Sequence, residues 1–392
     1  MTLRRIVLVA PFGLRPKGTT IARVLPIGRV LANGGAQVRI VIPPWDDPEA
    51  AGTTRKEDEL EIVHTGRTTG ALGVARTFRD LLRLVDEFEP DVIHAFKPIG
   101  FSGAVGWWKA RQTGRSGQPL VVLDTDDLEG PRGWSNRRSL AFSGWLRGWQ
   151  EIQTLRAVPR VTVASRWLES FVASLGVGHD QVYWMPQGWT PDGGDRRVSP
   201  EPHGPSTLLW YTRFTEVGPA RAARLFAPLL ASPERRLIVL GDEIAPGARS
   251  AAEAAFATAG LVERVLWRPY GERGLTGLLE AQAISLALYP MDDDLANRAR
   301  CPTKLVELMA AGVPVVAEAV GEASSYLAGF EAECLASPGD VASFTRLASR
   351  ILEGPALGVN LSERLGTAAQ RFEWKRLAGG LLPWYEQLAA AR

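Results

Sequence analysis

A lysine and a glutamate lie one helical turn apart in the segment CPTKLVELMAAGVPVVA, which runs from Cys301 to Ala317. Pro302 suits the first turn of a helix, so Thr303 and Lys304 are predicted at a helix start, with Glu307 one turn on. A helix N-terminus carries unpaired N–H groups and a partial positive charge, and Lys304 adds a full charge. The pattern predicts a phosphate site, although a helix packed on a sheet with solvated polar residues is the simpler alternative.

The same segment predicts the end of this helix and the start of a strand. Gly312 comes directly after the apolar helical positions, and Pro314 lies just beyond it, which is typical of a helix C-terminus. The next apolar residues predict a short buried strand, namely Val313, Val315 and Val316.

The motif K-L-x-E-x-M-A-x-G-x-P-V-V-A resembles the donor-binding segment of nucleotide-sugar-dependent glycosyltransferases with the GT-B fold. It is most similar to the large retaining family that includes many bacterial mannosyl- and glucosyltransferases. The resemblance implies that this helix cradles the donor diphosphate and that Glu307 binds the donor ribose. The family pattern places another glutamate, which contacts the sugar, eight residues earlier, where this sequence has Ala299.

A second cation comes after the predicted strand Thr207–Tyr211. The resemblance implies that Arg213 grips the donor diphosphate together with Lys304, and an arginine fork matches phosphate oxygens. The family usually has Lys-Gly four to five residues later, but this sequence has Val217-Gly218. We therefore expect nearby cations to compensate, the candidates being Lys304, Arg298 and Arg300.

Three more residues belong to the donor site that the resemblance implies, and a fourth is expected from the charge of a nearby loop. Gly241 belongs to a glycine turn near the nucleotide, and Arg268 and Tyr270 belong to the strand VLWRPY, whose end touches the nucleobase. The loop MDDDLANRARCP carries the carboxylates Asp292 to Asp294, which are candidates to hold the sugar in place of the glutamate that Ala299 replaces, and Asp294 is the residue chosen for the donor site.

The N-terminal half begins with a strand, a loop, a helix and a strand, which predicts a doubly wound sheet. These elements are Arg5–Ala10, Ile21–Leu31 and Gln37–Ile42. The dinucleotide fingerprint GxGxxG is absent, which argues against an NAD enzyme. The resemblance implies that Lys17 and Gly18 in the first loop approach the donor phosphate and the acceptor, although a plain strand–helix connection fits them equally well.

Two further strands, predicted at Asp91–His94 and Leu120–Leu123, end in residues that could face an acceptor. His94 stands where the family often carries H-x-H, and it is either an acceptor-side group or a satisfied structural histidine. Three aspartates come after the second strand. We interpret them as a strand-end cap with Asp126 or Asp127 facing the cleft, with a metal site as the less favoured alternative.

Aromatic residues alternate with arginines in Gly133–Trp149 (GWSNRRSLAFSGWLRGW). This composition suits a membrane interface or a lipid-linked acceptor. A helix with a packed aromatic face and snorkelling arginines is the favoured alternative.

Composition excludes several classes of protein. Of the 392 residues, 45% are apolar and 22% are charged, as in soluble globular proteins, and the net charge of +2 gives no case for nucleic-acid binding. Two cysteines and four scattered histidines give neither a disulfide framework nor a zinc pattern. No run of about twenty apolar residues occurs. We expect a cytoplasmic protein, with peripheral contact at the inner face of the membrane as a further expectation.

The alternating pattern and the resemblance together predict an α/β protein of the GT-B fold, with two Rossmann-like doubly wound domains facing a cleft. The expected domains are 1–190 on the acceptor side, a linker at 191–206, a nucleotide-sugar domain at 207–373 and a returning helix at 374–392. Arg213, Lys304, Asp126 and His94 are the predicted catalytic groups.

The expected reaction moves a sugar from a nucleoside-diphosphate sugar to an acceptor hydroxyl on a saccharide or a lipid-linked molecule, with retention. No metal and no cofactor beyond the donor substrate are expected. The alternatives are a non-catalytic sugar-nucleotide or partner-binding protein on the same fold and, less favoured, a UDP-sugar epimerase.

Overall fold

A computed structural model describes residues 3–14, 18–44, 46–66, 70–112, 118–134, 141–191, 206–271 and 273–391. The chain forms two compact units. Unit 1 comprises Met1–Thr190 together with Glu373–Arg392, and unit 2 comprises Pro191–Phe372. Most of the predicted linker, and Lys17 of the first loop, lie outside the described residues.

Unit 1 is built on a sheet that has eight strands within the described ranges, in the order β3-β4-β2-β1-β5-β6-β7-β8. Only the pair β3–β4 is antiparallel among these strands. The strands are β1 Arg5–Val9, β2 Gln37–Ile42, β3 Thr54–Glu57, β4 Leu60–His64, β5 Val92–Phe96, β6 Leu120–Thr125, β7 Val161–Val163 and β8 Val182–Trp184.

Helices connect these strands, as parallel pairing requires. They are α1 Leu25–Asn33, α2 Gly70–Glu87, α3 Gly100–Gln112, α4 Ala141–Ala157 and α5 Arg166–Ser174, with short 3₁₀ turns at Pro48–Ala50 and His179–Gln181. The chain returns to unit 1 at its end, where α15 Trp374–Gly379 and α16 Leu381–Ala390 pack into the same hydrophobic core as β1 and α1.

The first helix begins differently from the predicted Ile21–Leu31. A π-helical turn over Thr20–Val24 precedes α1, and the N–H of Leu25 bonds the carbonyl of Thr20. Pro26 explains the wide turn, because proline has no N–H to bond the carbonyl four residues earlier. Such turns are frequent at functional sites.

Unit 2 is a parallel sheet that has six strands in the part of the chain that is described, ordered β11-β10-β9-β12-β13-β14. The strands are β9 Ser206–Tyr211, β10 Arg235–Leu240, β11 Val265–Arg268, β12 Leu286–Tyr289, β13 Val315–Glu318 and β14 Leu335–Ala336. This is the 3-2-1-4-5-6 order of the doubly wound fold, whose direction of winding reverses between β9 and β12. Ligands bind such sheets beyond the carboxyl ends of the strands at that reversal.

The helices of unit 2 include two that lie directly before β13. They are α9 Leu295–Ala299 and α10 Thr303–Ala310. The others are α6 Pro219–Leu230, α7 Ala248–Thr258, α8 Gly274–Ala281, α11 Ala323–Tyr326, α12 Glu331–Cys334, α13 Val341–Glu353 and α14 Pro355–Ala369, with 3₁₀ turns at Val262–Arg264 and Gln370–Phe372. Gly312, at φ +68°, ends the α10 segment where the sequence predicts it.

Candidate functional site

An ion pair lies at the reversal point of unit 2, where β9 ends and α10 begins. Lys304, in the first turn of α10, donates from Nζ to Oε1 of Glu216 across 2.7 Å. Arg300 places Nη1 at 3.7 Å from the same oxygen. The Lys304 side chain is 14% exposed and that of Glu216 is 3% exposed, so this charge cluster is largely shielded from water.

Glu216 is the acceptor around which the loop after β9 is folded. Its carboxylate accepts hydrogen bonds from the hydroxyl of Thr212 and from the backbone N–H groups of Arg213 and Thr215. Burial acts to raise the pKa of Glu216, but the charges of Lys304 and Arg300 and these hydrogen bonds outweigh it, so the pKa lies well below its usual value. Glu216 is therefore a carboxylate at neutral pH.

The cations outnumber the carboxylate they surround. Burial lowers the pKa of Lys304, Glu216 opposes that effect, and the charges of Arg300 and Arg213 lower the pKa further. Arg213 has a buried Nε atom with no hydrogen-bond partner among the described residues. Three cations against one carboxylate leave a net positive site, which suits a multiply charged anion.

Glu307 lies one turn along α10, beside two tyrosines. The hydroxyl of Tyr211 donates to Oε2 of Glu307 across 2.9 Å. The rings of Tyr211 and Tyr270 stack with centroids 5.8 Å apart and planes 12° apart. Burial and the neighbouring Glu307 and Tyr270 raise the pKa of Tyr211 strongly, so its hydroxyl stays protonated and orients the carboxylate of Glu307.

The loop before α10 holds the other residues predicted around the sugar. Asp294 caps α9, because its side chain accepts from the N–H of Asn297. Asn297 is fully buried and donates to the carbonyls of Glu216 and Asp292, which ties this loop to the loop after β9. Ala299 is fully buried. Pro302 is the residue that precedes the first turn of α10, which Thr303 begins.

Gly241 lies at the end of β10 against the backbone after β9. A Cβ atom there would lie 1.8 Å from the carbonyl oxygen of Thr212, so only glycine fits. Its N–H donates to the carbonyl of Arg268, which is the last residue of β11. The side chain of Arg268 is exposed. The close approach of these strands accounts for the glycine without a ligand.

Unit 1 carries a second charge cluster, at the ends of β5 and β6. Lys97 comes directly after β5, and its buried Nζ lies 2.6 Å from Asp126, 3.2 Å from Asp127 and 2.5 Å from Glu129. Its φ of +70° is rare for a residue with a side chain and indicates local backbone strain. The three carboxylates have the spacing of a metal site, but the ammonium group of Lys97 supplies the cation among them.

The carboxylates of this cluster have different proton affinities. Burial acts to raise the pKa of Asp126, but Lys97 outweighs it and lowers that pKa, whereas burial raises the pKa of Asp127 to about 6. Burial also raises the pKa of Glu151 to about 8, beside Glu129. Asp126 accepts a hydrogen bond from the hydroxyl of Thr19. The neighbouring Gly18 accepts, at its carbonyl, a hydrogen bond from the N–H of Ala22 in the π-helical turn.

His94 does not lie at a strand end, and the predicted end of this strand is wrong. β5 continues to Phe96 because the apolar run carries on past the histidine, so the strand end falls at Lys97. His94 is fully buried, and its ring nitrogens contact the hydroxyls of Tyr385 and Thr162 at 2.7 and 3.1 Å. Burial and the nearby Arg23 lower its pKa to about 3, which favours the structural interpretation of this histidine.

A buried ion pair lies close to His94, between Arg23 and Asp124. Arg23 binds Asp124 through Nε and Nη2 at 2.9 and 2.7 Å and also donates to the carbonyl of Met185. Asp124 accepts in turn from Thr162, which contacts His94. Thus Asp124, the first aspartate of the predicted cap, is a core residue, and Asp126 and Asp127 are the ones that reach partial exposure.

Residues 141–149 of the predicted aromatic segment belong to α4, which carries exposed tryptophans. Trp145 and Trp149 are 59% and 55% exposed, with Leu146 also exposed between them. Arg156 is exposed and shares their face at helical spacing. The arginines at 137 and 138 and the side chain of Phe142 lie outside what the structure describes.

Two family models match the sequence and together cover most of it. The glycosyl transferase 4-like domain matches residues 18–188, and the glycosyl transferases group 1 domain matches residues 205–354. The chain therefore belongs to the glycosyltransferases that these two domain models describe. The resemblance seen in the sequence is thereby confirmed.

Solved structures show the same architecture. The sucrose-phosphate synthase of Thermosynechococcus elongatus superposes with a TM-score of 0.73 at 20% identity, over 99% of this chain and 100% of that one. Anabaena HepE in complex with UDP-glucose gives a TM-score of 0.67 at 14% identity, over 99% and 100%. WaaG, a glycosyltransferase involved in lipopolysaccharide biosynthesis, gives 0.64 at 15% identity, over 96% and 98%. The predicted α/β GT-B fold is confirmed.

A search of the curated proteins finds no match to this glycosyltransferase. Among the described residues, no helix combines the length and the apolar character needed to cross a bilayer.

Proposed function

We propose that this glycosyltransferase takes a nucleoside-diphosphate sugar as donor and transfers the sugar to an acceptor hydroxyl with retention at the anomeric carbon. The observation that carries the proposal is the net positive cluster of Arg213, Arg300 and Lys304 around Glu216, at the reversal point of unit 2. A diphosphate is the anion whose charge matches it. The solved complex of HepE with UDP-glucose supports a donor of this class.

In the proposed reaction the bond between the sugar and the diphosphate breaks while a bond to the acceptor oxygen forms. Negative charge then develops on the departing diphosphate, where Lys304 and Arg213 stabilise it. Because these cations are already desolvated and held in place, they need little reorganisation as the charge appears. Lys304 and Arg213 can thus neutralise the departing diphosphate, a role that a metal ion would otherwise fill. We therefore propose that the reaction needs neither a metal nor a cofactor.

The nucleoside is proposed to lie along α10 towards Glu307 and Tyr270. A carboxylate one turn from the phosphates avoids repulsion if it faces the ribose, and the Tyr211 hydroxyl holds Glu307 in one orientation. Tyr270 offers a partly exposed ring on which a base can stack. Asp294 is proposed to contact the transferred sugar.

The acceptor is proposed to be a saccharide or a lipid-linked molecule bound by unit 1, with Asp126 facing it. Trp145, Trp149 and Arg156 on α4 support a lipid-linked acceptor, because exposed tryptophans beside an arginine suit the surface of an anionic bilayer. We further propose a cytoplasmic enzyme that contacts this surface peripherally. We propose no nucleic-acid partner.

A non-catalytic sugar-nucleotide-binding protein is the second candidate, favoured by one observation. Ala299, at the position of the family's sugar-contacting glutamate, is fully buried and offers no polar group.

Binding of the donor is tested by melting the pure protein with a panel of nucleoside-diphosphate sugars and free nucleoside diphosphates. The proposal predicts that the nucleotides of one nucleobase raise the melting temperature of the protein more than the others do. A ligand that binds only the folded state stabilises that state. A panel with no shift at saturating concentrations would contradict both candidates.

A further inference from the structure

Glu216 occupies an unusual place for a carboxylate, since it lies inside the cluster proposed to bind an anion. It is nine-tenths buried or more and accepts from a hydroxyl, two backbone N–H groups and the ammonium of Lys304. These bonds fix the carboxylate to the loop after β9. A fixed carboxylate in turn fixes where the Lys304 ammonium lies.

The charges that face Lys304 come from several elements. Arg213 lies just after β9, Arg300 lies just after α9, and both disfavour the charged form of the lysine. Glu307 lies on the same helix as Lys304, namely α10. The ring centroid of Tyr211, in β9, lies 5.5 Å from Nζ of Lys304. Burial also disfavours the ammonium, and Glu216 is the group whose charge and hydrogen bond favour it.

We infer that Glu216 is a positioning residue for the diphosphate site: it keeps Lys304 charged and fixes the ammonium group before the anion binds. This inference rests on the proposed function. The net positive charge of the site then comes from a lysine that stays protonated beside two arginines. Glu216 acts through Lys304 and does not itself contact the donor.

Replacing Glu216 by glutamine removes the charge and keeps the shape of the side chain, with one acceptor oxygen and an NH2 donor in place of the second oxygen. Without the carboxylate, Lys304 should lose its proton at lower pH, so the affinity for an anion should fall at lower pH. Below that fall the affinity of the variant should stay close to that of the wild type, because the lost negative charge favours an anion while the loss of the contact that fixes Lys304 disfavours it.

The experiment measures the affinity for UDP, GDP and ADP by calorimetry from about pH 7.5 to about pH 9.5, where the diphosphate is fully ionised. For whichever nucleotide binds, the pH at which affinity falls should be at least about one unit lower in Glu216→Gln than in the wild type. Adding Lys304→Arg to Glu216→Gln should remove the fall at lower pH, because a guanidinium does not titrate in this range. Glu216→Asp keeps the charge farther from Nζ and should give a smaller shift.

Each outcome bears on a separate claim. If Glu216→Gln binds more weakly by the same factor at every pH, the residue is merely structural and the inference fails while the proposed function stands. A profile that coincides with that of the wild type also overturns the inference. If the wild type binds no nucleoside diphosphate, these three and those of cytidine and thymidine included, the proposed function itself fails. Should Glu216→Gln not fold, as judged by circular dichroism, an unshifted profile in Glu216→Asp overturns the inference.

Discussion

Lys304 and Glu216 form a buried ion pair of 2.7 Å although they stand 88 residues apart in the chain. The pair joins the loop after β9 to the first turn of α10. With Arg300 beside the same carboxylate, the site at the reversal point of unit 2 carries a net positive charge. Loss of a cation from this cluster should therefore weaken the binding of an anion.

Replacing Lys304 or Arg213 by alanine should weaken the binding of a nucleoside diphosphate by about 1.5–3 kcal/mol, the range of a charge-assisted hydrogen bond. Calorimetry with UDP, GDP and ADP measures the loss. Arg346→Ala, at an exposed position on α13, is the matched control and should leave the affinity unchanged. Normal affinity in both site variants would remove these residues from the site.

Replacing Glu307 by glutamine should raise the Michaelis constant for the donor more than it lowers turnover. A carboxylate bonded to ribose hydroxyls favours the substrate and the transition state alike, so its loss weakens binding rather than the chemical step. Tyr211→Phe removes the hydroxyl that orients Glu307 and should act in the same direction with a smaller effect. A normal Michaelis constant with collapsed turnover in Glu307→Gln would assign the residue to the chemical step.

Asp294 has two roles that a pair of variants separates. Asp294→Ala should lower turnover and leave the affinity for free nucleoside diphosphate nearly intact, and it should also cost about 0.5–2 kcal/mol of stability because α9 loses its cap. Asp294→Asn keeps a capping side chain, so its stability should be normal while its turnover is low. Full turnover in the asparagine variant would leave Asp294 with the capping role alone.

Glu151 should make the enzyme less stable as pH rises. Its pKa is raised to about 8 in the fold, so between its unfolded value of about 4.5 and that value the native state binds more protons than the unfolded state, and stability falls with pH. Urea unfolding at about pH 5 and about pH 8 should show a smaller fall in Glu151→Gln than in the wild type. Glu386→Gln, at an exposed position on α16, should behave like the wild type. Equal falls in all three proteins would contradict the raised pKa.

Contact with a bilayer is tested with vesicles that contain an anionic phospholipid and with neutral vesicles. Sedimentation should bring down the wild type with anionic vesicles, and Trp145→Ala combined with Trp149→Ala should bind several times less. Trp108→Ala, at an exposed position on α3, is the control and should sediment like the wild type. Equal sedimentation of the wild type and the double variant would show that α4 does not contact the bilayer.

The sequence predicts the fold well because periodicity and turn residues are local signals. Strand β10, predicted at Leu237–Leu240, and the end of α10 at Gly312 result from the apolar spacing and from a glycine that adopts positive φ. The end of β5 is harder to predict, since nothing local marks where a buried strand stops, and the predicted end at His94 lies two residues before Phe96.

The candidate site is only partly visible in the sequence. Lys304 and Arg213 can be found from a helix start and a strand end, but Glu216 cannot, because its role comes from contacts with residues distant in the chain. Asn297 and Tyr211 escape prediction for the same reason. The sequence gives a weak indication of the Lys97 cluster. A lysine follows one apolar strand directly, and several aspartates lie at the end of the next strand.

The most direct test of the proposed function is to incubate the wild type and Lys304→Ala with nucleoside-diphosphate sugars and measure the release of free nucleoside diphosphate. The wild type should release nucleoside diphosphate slowly by transfer to water and faster with an acceptor, from a donor that raises its melting temperature, and Lys304→Ala should release far less. Binding without any release would identify a non-catalytic sugar-nucleotide-binding protein, and interconversion of the sugars would identify an epimerase. Either result would contradict glycosyl transfer.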